Sequence, residues 1–139
     1  MGPVSAAPES PRIALRVGVY SPNARTREHV ITAVGTTLHP DLPELALTEL
    51  ATGPAVLDKL DQNQIDVLIL DGEAAPIGGL GLAKQIRDEY EPCPLLLVLI
   101  ARQADRWLAD WSRADATATL PVDAIELGTT MTELIRTRT

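Results

Sequence analysis

The sequence predicts an open three-layer α/β/α sandwich on a five-stranded parallel sheet, and three observations carry that reading. Short, β-rich apolar runs alternate five times with segments of helical period. Two of the runs, IDVLIL at 65–70 and LLLVLI at 95–100, are apolar on both faces, as strands covered by helices on each side must be. The 139 residues, 45% of them hydrophobic, fit one domain with a core that needs neither disulfides nor a structural metal. Right-handed crossovers between parallel neighbours then leave this topology, in which loops after the strand carboxyl ends form the crevice for a site.

The elements follow in order. Residues 1–11 (MGPVSAAPESP) are too poor in large apolar side chains to offset their ordering entropy and predict a flexible tail ahead of a domain over 12–139. Strands are expected at 13–20, 45–50, 65–70, 95–100 and, more weakly, 116–120, with 65–70 and 95–100 in the middle of the sheet. Helices are expected at 24–34, 55–62, 80–90, 105–113 and 124–137. Ser21 or Asn23 can cap the first and Gly35 can end it, Pro54 precedes the second, and Asp123 can cap the last. The connection 35–44 (GTTLHPDLPE) is long for its kind and is stiffened by Pro40 and Pro43. It reads as a plain surface excursion, or as an ornament that meets a partner through His39 and Pro40.

Composition excludes several functions. With 12 Lys and Arg against 19 Asp and Glu, the net charge is −7, and the basic residues are scattered, which argues against nucleic acid as a partner. Aromatics are 3% and Phe is absent, so a platform for stacking bases is not expected either. Cys93 stands alone, which removes disulfide frameworks and multi-cysteine metal sites and suits a reducing, cytoplasmic setting. The most apolar run, 92–101, is about half the ~20 residues that a membrane-spanning helix requires, and no export signal opens the chain, so no direct membrane insertion is expected. His29 and His39 have no second ligand near them in sequence and read as surface histidines. Gly78, Gly79 and Gly81 follow neither phosphate-binding fingerprint and read as a tight turn. No nucleophile and base can be placed together by spacing, so an enzyme is not expected, and the sequence calls for no cofactor.

The segment IDVLILDGEAAPIGGL (65–80) resembles the centre of a bacterial response-regulator receiver domain, where a buried strand ends in the aspartate that accepts a phosphoryl group. The resemblance also takes in VGVYSPN, LLLVLIA and the Leu-Pro pair at Leu120 and Pro121, and it implies a flavodoxin-like, receiver-type fold with Asp71 in the phosphoacceptor position. Receivers place an acidic pair after the first strand to hold a divalent cation; these positions read Ser21 and Pro22 here. The family's hydroxyl residue at the end of the fourth strand aligns with Ile100, its lysine with Leu120, and its aromatic rotor with Thr117. Phosphoryl transfer to a carboxylate needs its anionic oxygens stabilised by a cation, a hydroxyl and an ammonium, so the resemblance implies a pseudo-receiver whose pocket keeps only Asp71 and Pro121. Asp71 is then expected to be a solvated carboxylate that caps the amides around Gly72 and Glu73.

The stretches VYSPNARTREHV, HPDLPEL, ATGPAV, LDGEAAPIGGLGLAKQ and WLADWSRADA resemble, more narrowly, actinobacterial orphan receiver-like proteins encoded beside the genes for respiratory NADH:quinone oxidoreductase (complex I). That resemblance implies protein–protein docking on subunits of this enzyme, peripheral to the inner face of the cell membrane. The alternative is a two-component phosphorelay receiver phosphorylated on Asp71; a flavin-binding domain is a third reading, by topology alone. Trp107 and Trp111, one helical turn apart with Leu108 alongside, are candidate partner-binding residues. One indole is expected to pack on the sheet and the other to sit at its edge, the alternative being that both fill a Phe-free core. A homodimer is left open.

Overall fold

A computed structural model of the chain describes residues 14–73, 79–101 and 106–138, without the side chains at 79, 106, 108, 109 and 138. The tail expected at 1–11 and the glycine turn at Gly78 lie outside the described residues. Five strands alternate with five helices: β1 (Leu15–Tyr20), α1 (Ala24–Val34), β2 (Leu45–Leu50), α2 (Gly53–Asp61), β3 (Val67–Asp71), α3 (Gly79–Glu89), β4 (Leu95–Ile100), α4 (Arg106–Ser112), β5 (Ala116–Thr119) and α5 (Ala124–Arg138). All strand pairs are parallel, in the order β2-β1-β3-β4-β5, so the strand buried on both faces, β3, is the centre of the sheet.

Strand alternation divides the interior into two cores. Val17, Val19, Val67, Ile69, Leu97 and Leu99 pack beneath α1 and α5 against Val30, Val34, Leu127, Met131 and Ile135. Tyr20, Leu50, Leu68, Leu70, Val98 and Ile100 face α2 and α3 and meet Val56, Leu60, Leu82 and Ile86. Because the interior side chains of both layers are removed from water, β3 and β4 cannot form without their helices, and the helices cannot bury their apolar stripes without the sheet.

The caps explain where the chain turns. Asn23 is the cap of α1, its side chain accepting from the amides of Arg25 and Thr26, while Ser21 points elsewhere. Gly35 closes α1 at φ 67°, the left-handed region that favours glycine. Thr52 caps α2 and Pro54 sits within its first turn, where the missing N–H costs nothing. Asp123 caps α5 through the amides of Ile125 and Glu126.

The 35–44 connection is more than an excursion. Leu38 and Leu42 pack against the α1/α5 core, and Arg136 of α5 reaches Asp41 at 3.4 Å, leaving His39 and Pro40 exposed at the tip beside Asp41. The connection enters β2 at Leu45, opposite Leu15, and therefore lies at the amino-terminal end of the sheet.

Two local contacts yield measurable consequences. Gly72 leaves β3 with its N–H on the Leu99 carbonyl at 2.8 Å, and a Cβ there would stand 2.4 Å from that same oxygen. Both partners are backbone and cannot give way, so Gly72→Ala is expected to cost about 3 kcal/mol, seen as a lower urea midpoint with the slope unchanged. Just beyond α3, Tyr90 donates to Asp61 at 2.7 Å, and this bond, then burial, then the charges of Asp61 and Glu89 push its hydroxyl up to about 12. A raised folded-state value stabilises the fold fully below the unfolded value near 10 and is lost as pH climbs through about 12. Tyrosinate absorbance is expected to show Tyr90 ionising near 12 and, in Tyr90→Phe, the loss of that part of the alkaline destabilisation.

Candidate functional site: the carboxyl end of the β1/β3 pair

The parallel register pairs Val17 with Val67 and Tyr20 with Leu70. One step further along the same pairing stand Ser21 and Asp71, at the carboxyl end of the sheet and at the point where chain order reverses direction, β1 running next to both β2 and β3. Ser21 donates its hydroxyl proton to Oδ2 of Asp71 at 2.8 Å, and the Glu73 amide donates to Oδ1 at 2.9 Å. The expected capping of the loop after β3 is therefore present. The expected solvation is not: Asp71 is 6% exposed and Ser21 1%. Burial is possible because hydrogen bonds to both carboxylate oxygens replace the water that is lost.

Ser21 is itself held on every side. Its N–H donates to the Leu50 carbonyl at 3.1 Å, its carbonyl accepts from Arg27 Nη1 at 2.5 Å, and its Oγ accepts from the Asn23 amide at 3.0 Å. Arg27 also pairs with Glu49 of β2 at 2.8 Å, which ties α1 to the sheet edge. Next along β1, Tyr20 is buried, and burial first, then the negative charge of Asp71, push its hydroxyl above its ordinary value.

The other positions named by the receiver resemblance gather at the same end of the sheet. Ile100 closes β4 fully buried in the α2/α3 core, Leu120 packs partly on the opposite core and donates its N–H to the Ile100 carbonyl at 2.9 Å, and Thr117 is half-buried in β5 opposite Val98. Pro22 and Pro121 are exposed, the latter after a cis peptide bond. Thr119 and Glu126, which the sequence did not single out, lock β5 to α5: Thr119 donates both its hydroxyl, at 2.6 Å, and its N–H, at 3.1 Å, to Glu126 Oε1.

A divalent cation does not fit this donor set. Mg²⁺ asks for near-octahedral oxygen ligands held by carboxylates, and here one carboxylate is offered, with a hydroxyl proton already directed at it. Glu73 turns its side chain to the Ala101 amide at 3.4 Å, and among the described residues no three His, Cys, Asp or Glu side chains converge.

The tryptophans are placed differently from the expectation. Trp107 is 66% exposed and Trp111 52%, so neither packs on the sheet and neither fills the core. Aliphatic side chains, with Met131 in one layer and Tyr20 in the other, fill both without the indoles, and α4 presents the indoles outward; Lys84 of α3 holds its ammonium 5.9 Å from the Trp111 ring centroid. The side chain of Leu108 lies outside the described residues. His39 and Pro40 sit on the connection that packs against the α1/α5 layer, whereas the Trp111–Lys84 contact belongs to the α3 side, so these candidates do not form one patch. His29, like His39, is at the surface.

The comparisons bear on the fold and the family. No model of a protein family matches the chain. Solved structures share its fold: the chemotaxis response regulator CheY4 of Vibrio cholerae at TM-score 0.70 and 18% identity, covering 88% of this chain and 99% of that one. The receiver domain of the Francisella response regulator 1452 superposes at TM-score 0.74 and 19% identity, over 90% of this chain and 99% of that one. An uncharacterized response regulatory protein of Mycobacterium tuberculosis, found in strains CDC 1551/Oshkosh and ATCC 25618/H37Rv, is 55% identical over 123 residues, 88% of this chain and 92% of its own length. The chain belongs to the response-regulator family and has its receiver domain, a flavodoxin-like five-stranded parallel sheet between two helical layers. These relatives point to a signalling module that meets other proteins and to no enzyme family, and no described helix is long and apolar enough to cross a membrane.

Since both indoles are largely in water, Trp107→Ala and Trp111→Ala are each expected to change stability by no more than about 0.5 kcal/mol in urea unfolding. A loss of several kcal/mol in either would place that side chain in the core.

Proposed function

We propose that the protein is a pseudo-receiver: a response-regulator fold that acts by docking on another protein and does not pass a phosphoryl group. The single observation that carries this reading is the state of Asp71, buried and hydrogen-bonded on both oxygens by Ser21 and Glu73. Acyl-phosphate formation concentrates negative charge on the entering phosphoryl oxygens, which fixed positive groups must stabilise as it develops. Around Asp71, Ser21 and Pro22 stand where an acidic pair would hold a cation, Ile100 where a hydroxyl would donate and Leu120 where an ammonium would sit, and none of the four supplies that group. Each missing stabiliser costs about 3–4 kcal/mol of transition-state binding, so losing several slows transfer by many orders of magnitude.

Docking then rests on shape and on exposed side chains, for which Trp107 and Trp111 on α4 are the best supplied, large indoles being favoured anchors of protein contacts. The partner we infer is a subunit of respiratory NADH:quinone oxidoreductase, at the inner face of the membrane. That inference is supported by the resemblance of VYSPNARTREHV, HPDLPEL and WLADWSRADA to receiver-like proteins encoded beside that enzyme. No cofactor and no nucleic acid enter this reading. A phosphorelay receiver phosphorylated on Asp71 is the second reading, favoured by the position of Asp71 at the carboxyl end of β3.

Two measurements separate the readings. Magnesium with beryllofluoride or a small-molecule phosphodonor is expected to leave the amide NMR spectrum unchanged; shifts centred on Asp71 would establish the phosphorelay. Affinity capture from native membranes is expected to bring down NADH dehydrogenase subunits, and capture through Trp107→Ala or Trp111→Ala is expected to be weakened. Capture without those subunits removes the partner assignment.

A further inference from the structure

We infer that Ser21 is a positioning residue that takes the place of a cation at Asp71: its hydroxyl satisfies the buried carboxylate from a direction it cannot vacate, and thereby closes the site to divalent ions. The inference deepens the closed-pocket half of the reading above and is independent of the partner half.

The direction of the hydroxyl proton follows from its surroundings. Oγ of Ser21 lies 3.0 Å from the Asn23 amide and 2.8 Å from Asp71 Oδ2. The amide can only donate, so it occupies an Oγ lone pair, and the proton is left with the carboxylate as its acceptor. The residue that carries the hydroxyl is fixed as well. Its N–H and C=O are engaged by Leu50 and Arg27, and Arg27 is anchored in turn by Glu49. Every polar group of Ser21 is therefore in use, and it is 1% exposed.

A divalent ion binding Oδ2 directly would sit about 2.1 Å from it if it were Mg²⁺, in space towards which the Ser21 proton points. Turning the hydroxyl aside would set its proton against the Asn23 N–H, donor facing donor, and moving the residue would break its backbone bonds to Leu50 and Arg27. A hydrogen bond and an ion are thus alternatives at this carboxylate, and the fold has chosen the hydrogen bond. A second carboxylate at position 21 would reverse the choice, because two like charges at this distance need a cation between them.

The test is a double-mutant cycle with a magnesium arm. Ser21→Ala is expected to lower the folding equilibrium constant about tenfold when Asp71 is present, by leaving a buried carboxylate oxygen without its donor. In an Asp71→Ala background the same change is expected to be neutral or favourable, since the hydroxyl has then lost its acceptor. Equal losses in both backgrounds would show that the two residues do not act together and would overturn the inference. In the second arm, millimolar magnesium chloride is expected to raise the urea midpoint of Ser21→Asp and to leave that of the unaltered protein and of Ser21→Thr in place. A midpoint that rises equally in the unaltered protein, or does not move in a folded Ser21→Asp variant, also overturns it; should that variant not fold, the cycle decides. Failure here is distinct from failure of the proposed function: an acyl phosphate on Asp71 defeats the pseudo-receiver, whereas additive Ser21 and Asp71 effects defeat only the substitution of hydroxyl for cation.

Discussion

The pairing of β1 with β3 is the constraint on which the other features rest. A single parallel register joins the two strands, and a side-chain pair brackets it at each end. At the amino-terminal end, Asp66 takes the Arg16 guanidinium in a two-pronged contact at 3.0 and 3.1 Å and accepts the Arg16 amide at 2.8 Å. At the other end Ser21 and Asp71 close the pair at 2.8 Å. A slip of β1 by one residue would break both brackets and reverse its faces, turning Val17 and Val19 away from α1 and α5. The exposed guanidinium contributes less energy than its geometry implies, because solvent screens it. Its part is to select one alignment; burial of both faces supplies the driving force.

From this alignment the character of the site follows. In receivers generally the carboxyl end of the central strands is where charge is changed and then sensed. Here Ser21, Pro22, Ile100 and Leu120 stand around the Asp71 carboxylate, and the β1–α1 turn is fastened over it by Asn23 and Arg27. The result is a rigid floor under a surface whose conspicuous features lie elsewhere, on α4. On the function proposed above, architecture and chemistry are separated: the sheet that elsewhere serves phosphorylation serves to hold a shape.

The legible part of the molecule was that governed by periodicity. Strands at 45–50 and 95–100 and the helix at 24–34 occupy those residues, since two-sided apolar runs and glycine or asparagine punctuation leave little choice. The strand expected at 65–70 begins two residues later because Asp66 is spent on Arg16, and it ends one later, on Asp71 itself. What could not be read was the direction of individual side chains. Ser21 looked like an emptied position, although counting the register forward from Val17 and Val67 would have placed it against Asp71. The tryptophans were misplaced because helical spacing says which residues share a face and not whether that face meets the sheet; in so short a helix the aliphatic layers were complete without them. In the 35–44 connection, Leu38 and Leu42 were the anchoring signal, one on each side of Pro40.

That connection has a practical corollary. Its two leucines are rooted in the α1/α5 layer while Pro40 stands clear at the tip, at the far end of the sheet from Asp71. A label or short epitope grafted at Pro40 would disturb neither strand bracket, and doubling the length of such a loop adds only about 0.6 kcal/mol of closure entropy. The fold thus carries its own handle for tethering or imaging, placed where attachment leaves both the sealed carboxylate and the indoles unencumbered.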